Sequence, residues 1–231
     1  MSLTLYTSGS TDHPKLITHS WDYIKRCAQN SVTEIGLTKD DIVLDVFPAN
    51  TIAHYTITAV PAFISGAQYV SSNFNAYTYP RLFNHVKPTY ISLIPRHLEL
   101  LNKTKDFKDL DMSCVRYMVT GSAKITQEFI DTFRNKGVQT VANWYGMTEF
   151  PPPILIGYNS TKFNIKCVSG DHVMFQSVDV LGRPFKGELK HTNFAECIIN
   201  GKATGDIFDM DTMEFSRRRE EANGQTWKTN V

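Results

Sequence analysis

The chain has 231 residues, of which 42% are hydrophobic, so it can bury one large core or two small ones. A formal net charge of +1 without a dominant basic block excludes a nucleic-acid binder, and the lack of a long apolar run excludes a membrane span. The four cysteines match no zinc pattern and the N-terminus does not resemble a signal peptide, so a cytoplasmic protein with free thiols is expected.

Residues 1–150 have the element pattern of an α/β domain with a parallel sheet, because short apolar strands alternate with helices. Ser20 or Asp22 is predicted to cap the first helix, which is expected to end near Gln29. The predicted strands are 3–6, 41–47, 68–71, 89–94, 114–119 and 138–144, and the later predicted helices are 53–64, 79–85, 95–102 and 126–136.

The pattern of predicted elements changes at the proline run 151–153, which indicates a boundary between subdomains. Short β-rich runs separated by turn residues follow, and they are typical of a small antiparallel sheet or barrel. The predicted organisation is an α/β subdomain over 1–150, a β-rich, barrel-like subdomain over 151–215 and a hinge segment over 216–231. The strands expected in the second subdomain are 163–168, 172–178, 187–191 and 195–199.

The loop at residues 7–15 has the composition of a phosphate-binding loop. Hydroxyl groups can donate hydrogen bonds to phosphate, a glycine allows close backbone approach, and a lysine supplies positive charge. The Walker sequence is absent, and an ordinary surface turn is the alternative. The candidate phosphate-binding residues are Thr7, Ser8, Gly9, Ser10, Thr11 and Lys15.

Two more polar loops, 121–124 and 145–149, also follow predicted strands. Ligands bind parallel sheets beyond the carboxyl ends of the strands, so all three loops are expected to converge on one edge of the sheet. Further along the chain, Thr204-Gly205-Asp206 is followed by Arg217-Arg218-Arg219. Taken singly, these strings are also compatible with ordinary turns and a solvated charged face.

Together the strings resemble signatures of the adenylate-forming (AMP-forming) superfamily, which includes acyl- and aryl-CoA synthetases. Residues 6–15 are similar to [YF]-T-S-G-[ST]-T-G-x-P-K, with Asp12 in place of the second glycine. Residues 145–149 match Y-G-x-T-E throughout, and residues 204–206 match T-G-D. The stretch 119–125 resembles strand-G-G-A-x-[LI], with a serine in place of one glycine.

The resemblance implies a role for each signature residue. Tyr145 would stack on adenine, Asp206 would hold the ribose hydroxyls, Thr148 would bind the α-phosphate and Glu149 would hold Mg²⁺. Arg218 is the better match to an arginine that reaches ribose and phosphate, with Arg217 as the alternative. The remaining residues implied to line the nucleotide site are Gly121, Ser122, Ala123, Asn143, Trp144 and Gly146, and His54 is implied at the edge of the substrate pocket.

The resemblance also implies a longer protein than this chain. Members of the superfamily have an α/β region before the phosphate loop and a mobile C-terminal domain that carries a catalytic lysine. Both are expected to be absent here, because the phosphate loop begins at residue 7 and Lys228 lies too close to the hinge segment to be that lysine. An exposed sheet edge or apolar face is therefore expected, and with it a homodimer or a complementing protein chain.

Two functions are compatible with these observations. The first is an AMP-forming acid–thiol ligase that binds ATP and Mg²⁺, activates a small-molecule carboxylate as an acyl-adenylate and passes the acyl group to a thiol such as CoA. The second is a non-catalytic remnant that binds a nucleotide or a protein partner. The identity of the carboxylate is not readable from the sequence.

Overall fold

The protein is described by a computed structural model for residues 1–7, 15–164, 170–179, 182–184 and 193–219. Most of the predicted phosphate loop and the end of the predicted hinge segment lie outside these ranges, as does the predicted strand 187–191. Within them, no helix is both long enough and apolar enough to cross a membrane.

A six-stranded sheet organises the first part of the chain. Its strands, in chain order, are β3 (Ile42–Asp45), β4 (Gln68–Ser71), β5 (Tyr90–Ser92), β6 (Tyr117–Gly121), β7 (Val141–Tyr145) and β8 (Leu155–Tyr158). Their spatial order is β4-β3-β5-β6-β7-β8, in which the first five strands are parallel and β8 is antiparallel to β7. The predicted α/β architecture with a parallel sheet is confirmed. The sheet extends past the proline run, so the predicted division at residue 150 does not coincide with its edge.

The helices are α1 (Trp21–Ile35), α2 (Val60–Ser65), α3 (Tyr79–Val86), α4 (Pro95–Leu101), α5 (Lys105–Lys108) and α6 (Gln127–Asn135), and a π-helical turn at His54–Ala59 leads into α2. Ser20 caps α1, because its hydroxyl accepts a hydrogen bond from the amide of Tyr23 at 3.2 Å. The helix ends at Ile35, six residues beyond the predicted end, and Gly36 adopts the left-handed conformation that closes it.

The first two strands form a separate antiparallel hairpin, β1 (Ser2–Tyr6) and β2 (Leu16–Ser20). The expectation that the phosphate loop follows a strand of the parallel sheet is therefore wrong. Strand β1 is exposed on one face and turns Leu5 towards a small cluster with Ile24 and Ile52. This half-buried pattern suits an antiparallel hairpin, whereas a central parallel strand is buried on both faces.

A second sheet follows, with strands β9 (Val173–Ser177), β10 (Phe194–Ile199), β11 (Lys202–Asp209) and β12 (Glu214–Arg218). All of its neighbouring strands are antiparallel, in the order β12-β11-β10-β9, which confirms the predicted β-rich region. Phe208 lies at the centre of its core and packs edge-on against Tyr145, Phe163 and Phe215. Because Tyr145 ends β7, this aromatic cluster joins the two sheets.

A buried ion pair ties the end of α1 to the main sheet. The Arg116 guanidinium lies 2.6 Å from one carboxylate oxygen of Asp41 and 2.7 Å from the other, and it also donates to the carbonyls of Ile35 and Gly36. Burial of Asp41 opposes its ionisation, but hydrogen bonds from Arg116 and Thr89 outweigh that effect and lower the pKa of Asp41 to about 2.

The main sheet has exposed apolar residues beside its edge strand β4. Phe63 in α2 is 87% exposed, and Tyr69 in β4 is 38% exposed. Edge strands of this kind can pair with another chain. The homodimer or complementing chain expected from the sequence stays a prediction.

Candidate functional site

Tyr145 and Asp206, two residues that the resemblance places around a nucleotide, are in direct contact. The phenol of Tyr145 donates a hydrogen bond to Oδ2 of Asp206 at 2.8 Å, although the residues are 61 positions apart. Tyr145 is 7% exposed and Asp206 is 2% exposed. Burial, followed by the nearby charge of Asp206, raises the pKa of Tyr145 well above its usual value.

Arginines at the end of β12 and directly after it pair with the buried carboxylates of the second sheet. Nε of Arg218 lies 3.1 Å from Oδ1 of Asp206, so Tyr145, Asp206 and Arg218 form one connected group. Arg219 pairs with Glu196, which is fully buried on β10. Arg217 lies over the ring of Phe194 at 4.8 Å. Of the two arginines considered from the sequence, the one beside Asp206 is Arg218.

The T-G-D string lies on a bulge in β11. The register between β10 and β11 shifts there, and Gly205 has φ = 81°, a conformation that favours glycine. The bulge turns the amide of Gly205 towards Glu196, to which it donates at 2.8 Å, while the Thr204 hydroxyl donates to the carbonyl of Cys197. The bulge directs Asp206 towards Tyr145, away from the face that carries Glu196.

The residues from the main sheet lie at its carboxyl edge, where β6 and β7 are paired. Gly121 is next to Trp144, and a Cβ at Gly121 would come 2.4 Å from the carbonyl oxygen of Trp144, so only glycine fits. Trp144 itself is 3% exposed and packs in the core against Tyr117. The ring of Trp144 is therefore not exposed for contact with a nucleotide, as its predicted role would require.

Ser122 and Ala123 follow Gly121 and begin the connection to α6. Ser122 has φ = 66°, in the left-handed region, at the position where the superfamily commonly has glycine. Ala123 and Asn143 line a small cavity of about 20 Å³, room for about one water molecule. This cavity is too small to hold adenine.

The 145–149 loop forms a tight turn. The amide and carbonyl of Met147 are hydrogen-bonded to those of Phe150, and a Cβ on Gly146 would clash with Pro152 at 2.6 Å. Thr148 and Glu149 occupy the centre of the turn and are half-buried. Within the described ranges, no group of three His, Cys, Asp or Glu side chains could hold a metal ion. Mg²⁺ commonly takes one or two protein carboxylates together with phosphate oxygens and water, and Glu149 fits that requirement.

The hairpin carries the base of the predicted phosphate loop at one end and contacts this turn at the other. Thr7 and Lys15 close the loop, since the Thr7 amide donates to the Lys15 carbonyl at 2.8 Å and the Lys15 amide donates to the Thr7 hydroxyl at 3.1 Å. At the other end of β2, Nε2 of His19 lies 2.7 Å from the carbonyl oxygen of Thr148. The candidates Ser8, Gly9, Ser10 and Thr11 lie outside the described residues.

His54 belongs to a different polar group, at the end of β3. Its Nδ1 lies 2.8 Å from Oδ2 of Asp45, a distance typical of an ion pair, although the ring is not aligned for a directional hydrogen bond. Tyr69 donates to the same oxygen at 2.7 Å, and the amide of Phe47 donates to Oδ1 at 2.9 Å. The π-helical turn begins at His54, and such turns often mark functional sites.

Asp45, Glu196 and His19 were not among the site residues chosen from the sequence. A signal existed for the first two, because Asp45 and Glu196 interrupt apolar strand runs, and a charged residue is almost never fully buried unless it is paired. For His19 the signal lay in the resemblance, since the superfamily's phosphate-loop signature continues to a histidine shortly after the lysine, but its contact with Thr148 was not predicted.

The chain is similar to known proteins in both sequence and fold. The family model described as "AMP-binding enzyme" matches residues 1–196. The 4-coumarate–CoA ligase of Pinus taeda is 26% identical over 206 residues, which cover 85% of this chain and 38% of the ligase. The inhibitor-bound N-terminal domain of FACL13 from Mycobacterium tuberculosis superposes with a TM-score of 0.75 at 20% identity, over 93% of this chain and 60% of that one.

O-succinylbenzoate coenzyme A synthetase from Bacillus subtilis, in complex with ATP and magnesium ion, gives a TM-score of 0.71 at 21% identity, over 94% of this chain and 50% of that one. The fold and the family model together define an N-terminal domain of the adenylate-forming type. The chain belongs to the AMP-binding enzyme family. It spans about a third of the length of the curated relatives that it matches, which are acyl- and aryl-CoA ligases.

Proposed function

We propose that this chain is the nucleotide-binding part of an AMP-forming acyl- or aryl-CoA ligase, which binds ATP with Mg²⁺ and activates a carboxylate as its acyl-adenylate. The observation that carries the proposal is the contact between Tyr145 and Asp206, because it joins two signatures that are far apart in the sequence. Family membership and relatives that ligate carboxylates to CoA support it.

The proposed roles follow from the chemistry of the side chains. Asp206 would accept hydrogen bonds from the two ribose hydroxyls, and Tyr145 would offer its ring to adenine once nucleotide has entered. Arg218 already faces Asp206 and would turn its charge towards ribose or phosphate. Binding thus exchanges contacts within the protein for contacts with nucleotide.

Activation of the carboxylate would take place beside the phosphates. The substrate carboxylate would attack the α-phosphorus in line, and pyrophosphate would leave. Thr148 would donate to the α-phosphate, and Lys15 would offset negative charge on the departing phosphates. Glu149 would hold Mg²⁺, whose charge stabilises the phosphate oxygens. His54 would lie at the edge of the acyl pocket.

Calorimetric titration tests the nucleotide assignment. The chain should bind AMP or ATP in preference to GTP or CTP, and Asp206→Asn should abolish most of that affinity. Tyr145→Ala should weaken binding by about 1–3 kcal/mol, the size of a base–aromatic stack. Glu128→Gln, on the exposed surface of α6, is the matched control and should bind like the wild type. Equal affinity for all four nucleotides would contradict the adenine assignment.

A non-catalytic binding protein is the second candidate. The observation that favours it is the closed contact of Tyr145 with Asp206 and Arg218, which occupies the groups that would otherwise bind nucleotide. ATP–pyrophosphate exchange with a panel of carboxylates separates the two. Exchange above background supports the ligase, whereas a chain that binds no adenine nucleotide supports the second candidate, since the lysine implied for catalysis lies on another domain.

A further inference from the structure

A single side chain links the hairpin to the turn that carries the predicted magnesium ligand. Nε2 of His19 lies 2.7 Å from the carbonyl oxygen of Thr148, across 129 positions of sequence. A carbonyl oxygen can only accept, so Nε2 carries the proton and donates it. This carbonyl belongs to the same peptide unit as the amide of Glu149. The bond therefore fixes the orientation of the peptide between the two residues.

The peptide that His19 holds has no other anchor inside its own turn. The turn is closed by Met147 and Phe150, which exchange backbone hydrogen bonds of 2.9 and 3.1 Å. These bonds leave the central peptide, between Thr148 and Glu149, at the tip. Rotation of that peptide would redirect both side chains without opening the turn. A donor from outside the turn is what prevents the rotation.

His19 is well placed to act as that donor, because it is braced on two sides. It pairs with Leu3 across the hairpin, and the next residue, Ser20, caps α1. Its ring lies against the ring of Tyr23 on the first turn of α1, with 5.1 Å between centroids. The strand that bears His19 starts directly after Lys15. His19 thus joins the hairpin strand that follows Lys15 to the turn that carries Thr148 and Glu149.

We propose that His19 is a positioning residue, which holds the Thr148–Glu149 peptide in the orientation that binds the magnesium–phosphate end of ATP. The inference rests on the function proposed above. His19 would affect only the binding of the phosphate groups, whereas binding of the adenosine part would depend on Tyr145 and Asp206. Removing His19 should weaken Mg·ATP more than AMP.

The test compares three variants by calorimetric titration with Mg·ATP and with AMP. His19→Ala should bind Mg·ATP about 3- to 10-fold more weakly, the equivalent of one lost hydrogen bond, and AMP nearly as well as the wild type. His19→Gln keeps an N–H donor of similar reach and should restore Mg·ATP binding. His85→Ala is the matched control, because His85 is exposed on α3. Equal weakening of both ligands, or no rescue by glutamine, would overturn the proposal.

Backbone amide relaxation by NMR in the nucleotide-free protein tests the same bond independently of the proposed function. The order parameter of the Glu149 amide should be lower in His19→Ala than in the wild type or His19→Gln, while those of the β6 strand should not change. A wild-type chain that binds no nucleotide would refute the proposed function. An unchanged order parameter at Glu149 would instead refute the positioning role of His19.

Discussion

Replacing Tyr145 with phenylalanine separates the contribution of its hydroxyl to stability from the contribution of its ring to nucleotide binding. The substitution removes only the hydroxyl, and the ring still fills its place between Phe163 and Phe208, so no cavity forms. The hydroxyl, however, donates at 2.8 Å to a carboxylate that is 2% exposed and cannot recruit bulk water in its place. The free energy of unfolding should therefore fall, even though packing is kept.

The expected loss in the free energy of unfolding depends on the partner of the hydroxyl, Asp206, which is charged and buried. A hydrogen bond to a charged group contributes about 1.5–3 kcal/mol, so Tyr145→Phe should lower the free energy of unfolding by that amount. Arg218 remains beside Asp206 at 3.1 Å, which keeps the loss below that of an uncompensated charge. Binding of AMP should survive, because the aromatic ring is intact.

Urea unfolding and calorimetric titration measure the two effects on the same samples. Tyr145→Ala should lose both stability and adenine preference, whereas Tyr145→Phe should lose stability alone. A Tyr145→Phe protein within about 0.5 kcal/mol of the wild type, the usual range for surface changes, would refute the buried contact. Loss of AMP binding in Tyr145→Phe would refute the assignment of nucleotide binding to the ring.

Two further predictions concern stability. The pKa of Asp41 falls from an ordinary 3.8 to about 2 on folding. The ionised carboxylate therefore adds about 2 kcal/mol to the free energy of unfolding above pH 4, and this contribution is lost as the pH falls towards 2. The stability difference between wild type and Asp41→Asn should shrink over that interval in urea unfolding, and a constant difference would contradict it. Ser122→Gly should relieve left-handed strain and stabilise by about 0.5–1 kcal/mol, net of glycine's entropy, whereas Ser122→Ala should not. Thermal unfolding of the three proteins checks this, and a destabilised glycine variant would argue against strain at that position.

The sequence predicted secondary-structure elements well where the local pattern alone determines them. The edge strand Gln68–Ser71 was predicted residue for residue. The first helix was predicted too short, since Ser31 and Val32 are weak helix formers. Its extension comes from tertiary contacts, in which the Ser31 hydroxyl donates to the carbonyl of Thr56 at 2.6 Å and Ile35 is buried. Propensity alone cannot anticipate a partner 25 positions away.

The individual motifs of the site could be identified from the sequence, but the contacts between them could not. The resemblance singled out Tyr145, Asp206 and Arg218, but it did not predict that they would contact one another. Their contacts depend on the bulge at Gly205 and on the register of β12, which are set by pairing between strands rather than by local sequence. Glu196 was missed although its charge interrupts an apolar strand run, because its partner Arg219 could not be identified from local sequence.

The consecutive arginines at the end of β12 set a lower limit on the length of chain that can fold. Successive residues of extended chain point to opposite faces, so Arg218, the last residue of β12, reaches Asp206 on one side of the sheet and Arg219, the next residue, reaches Glu196 on the other. A fragment that stopped at Arg217 would lose only the last residue of β12, but it would leave both buried acids without the arginine that pairs with each. Any excised version of this domain should therefore run at least through Arg219.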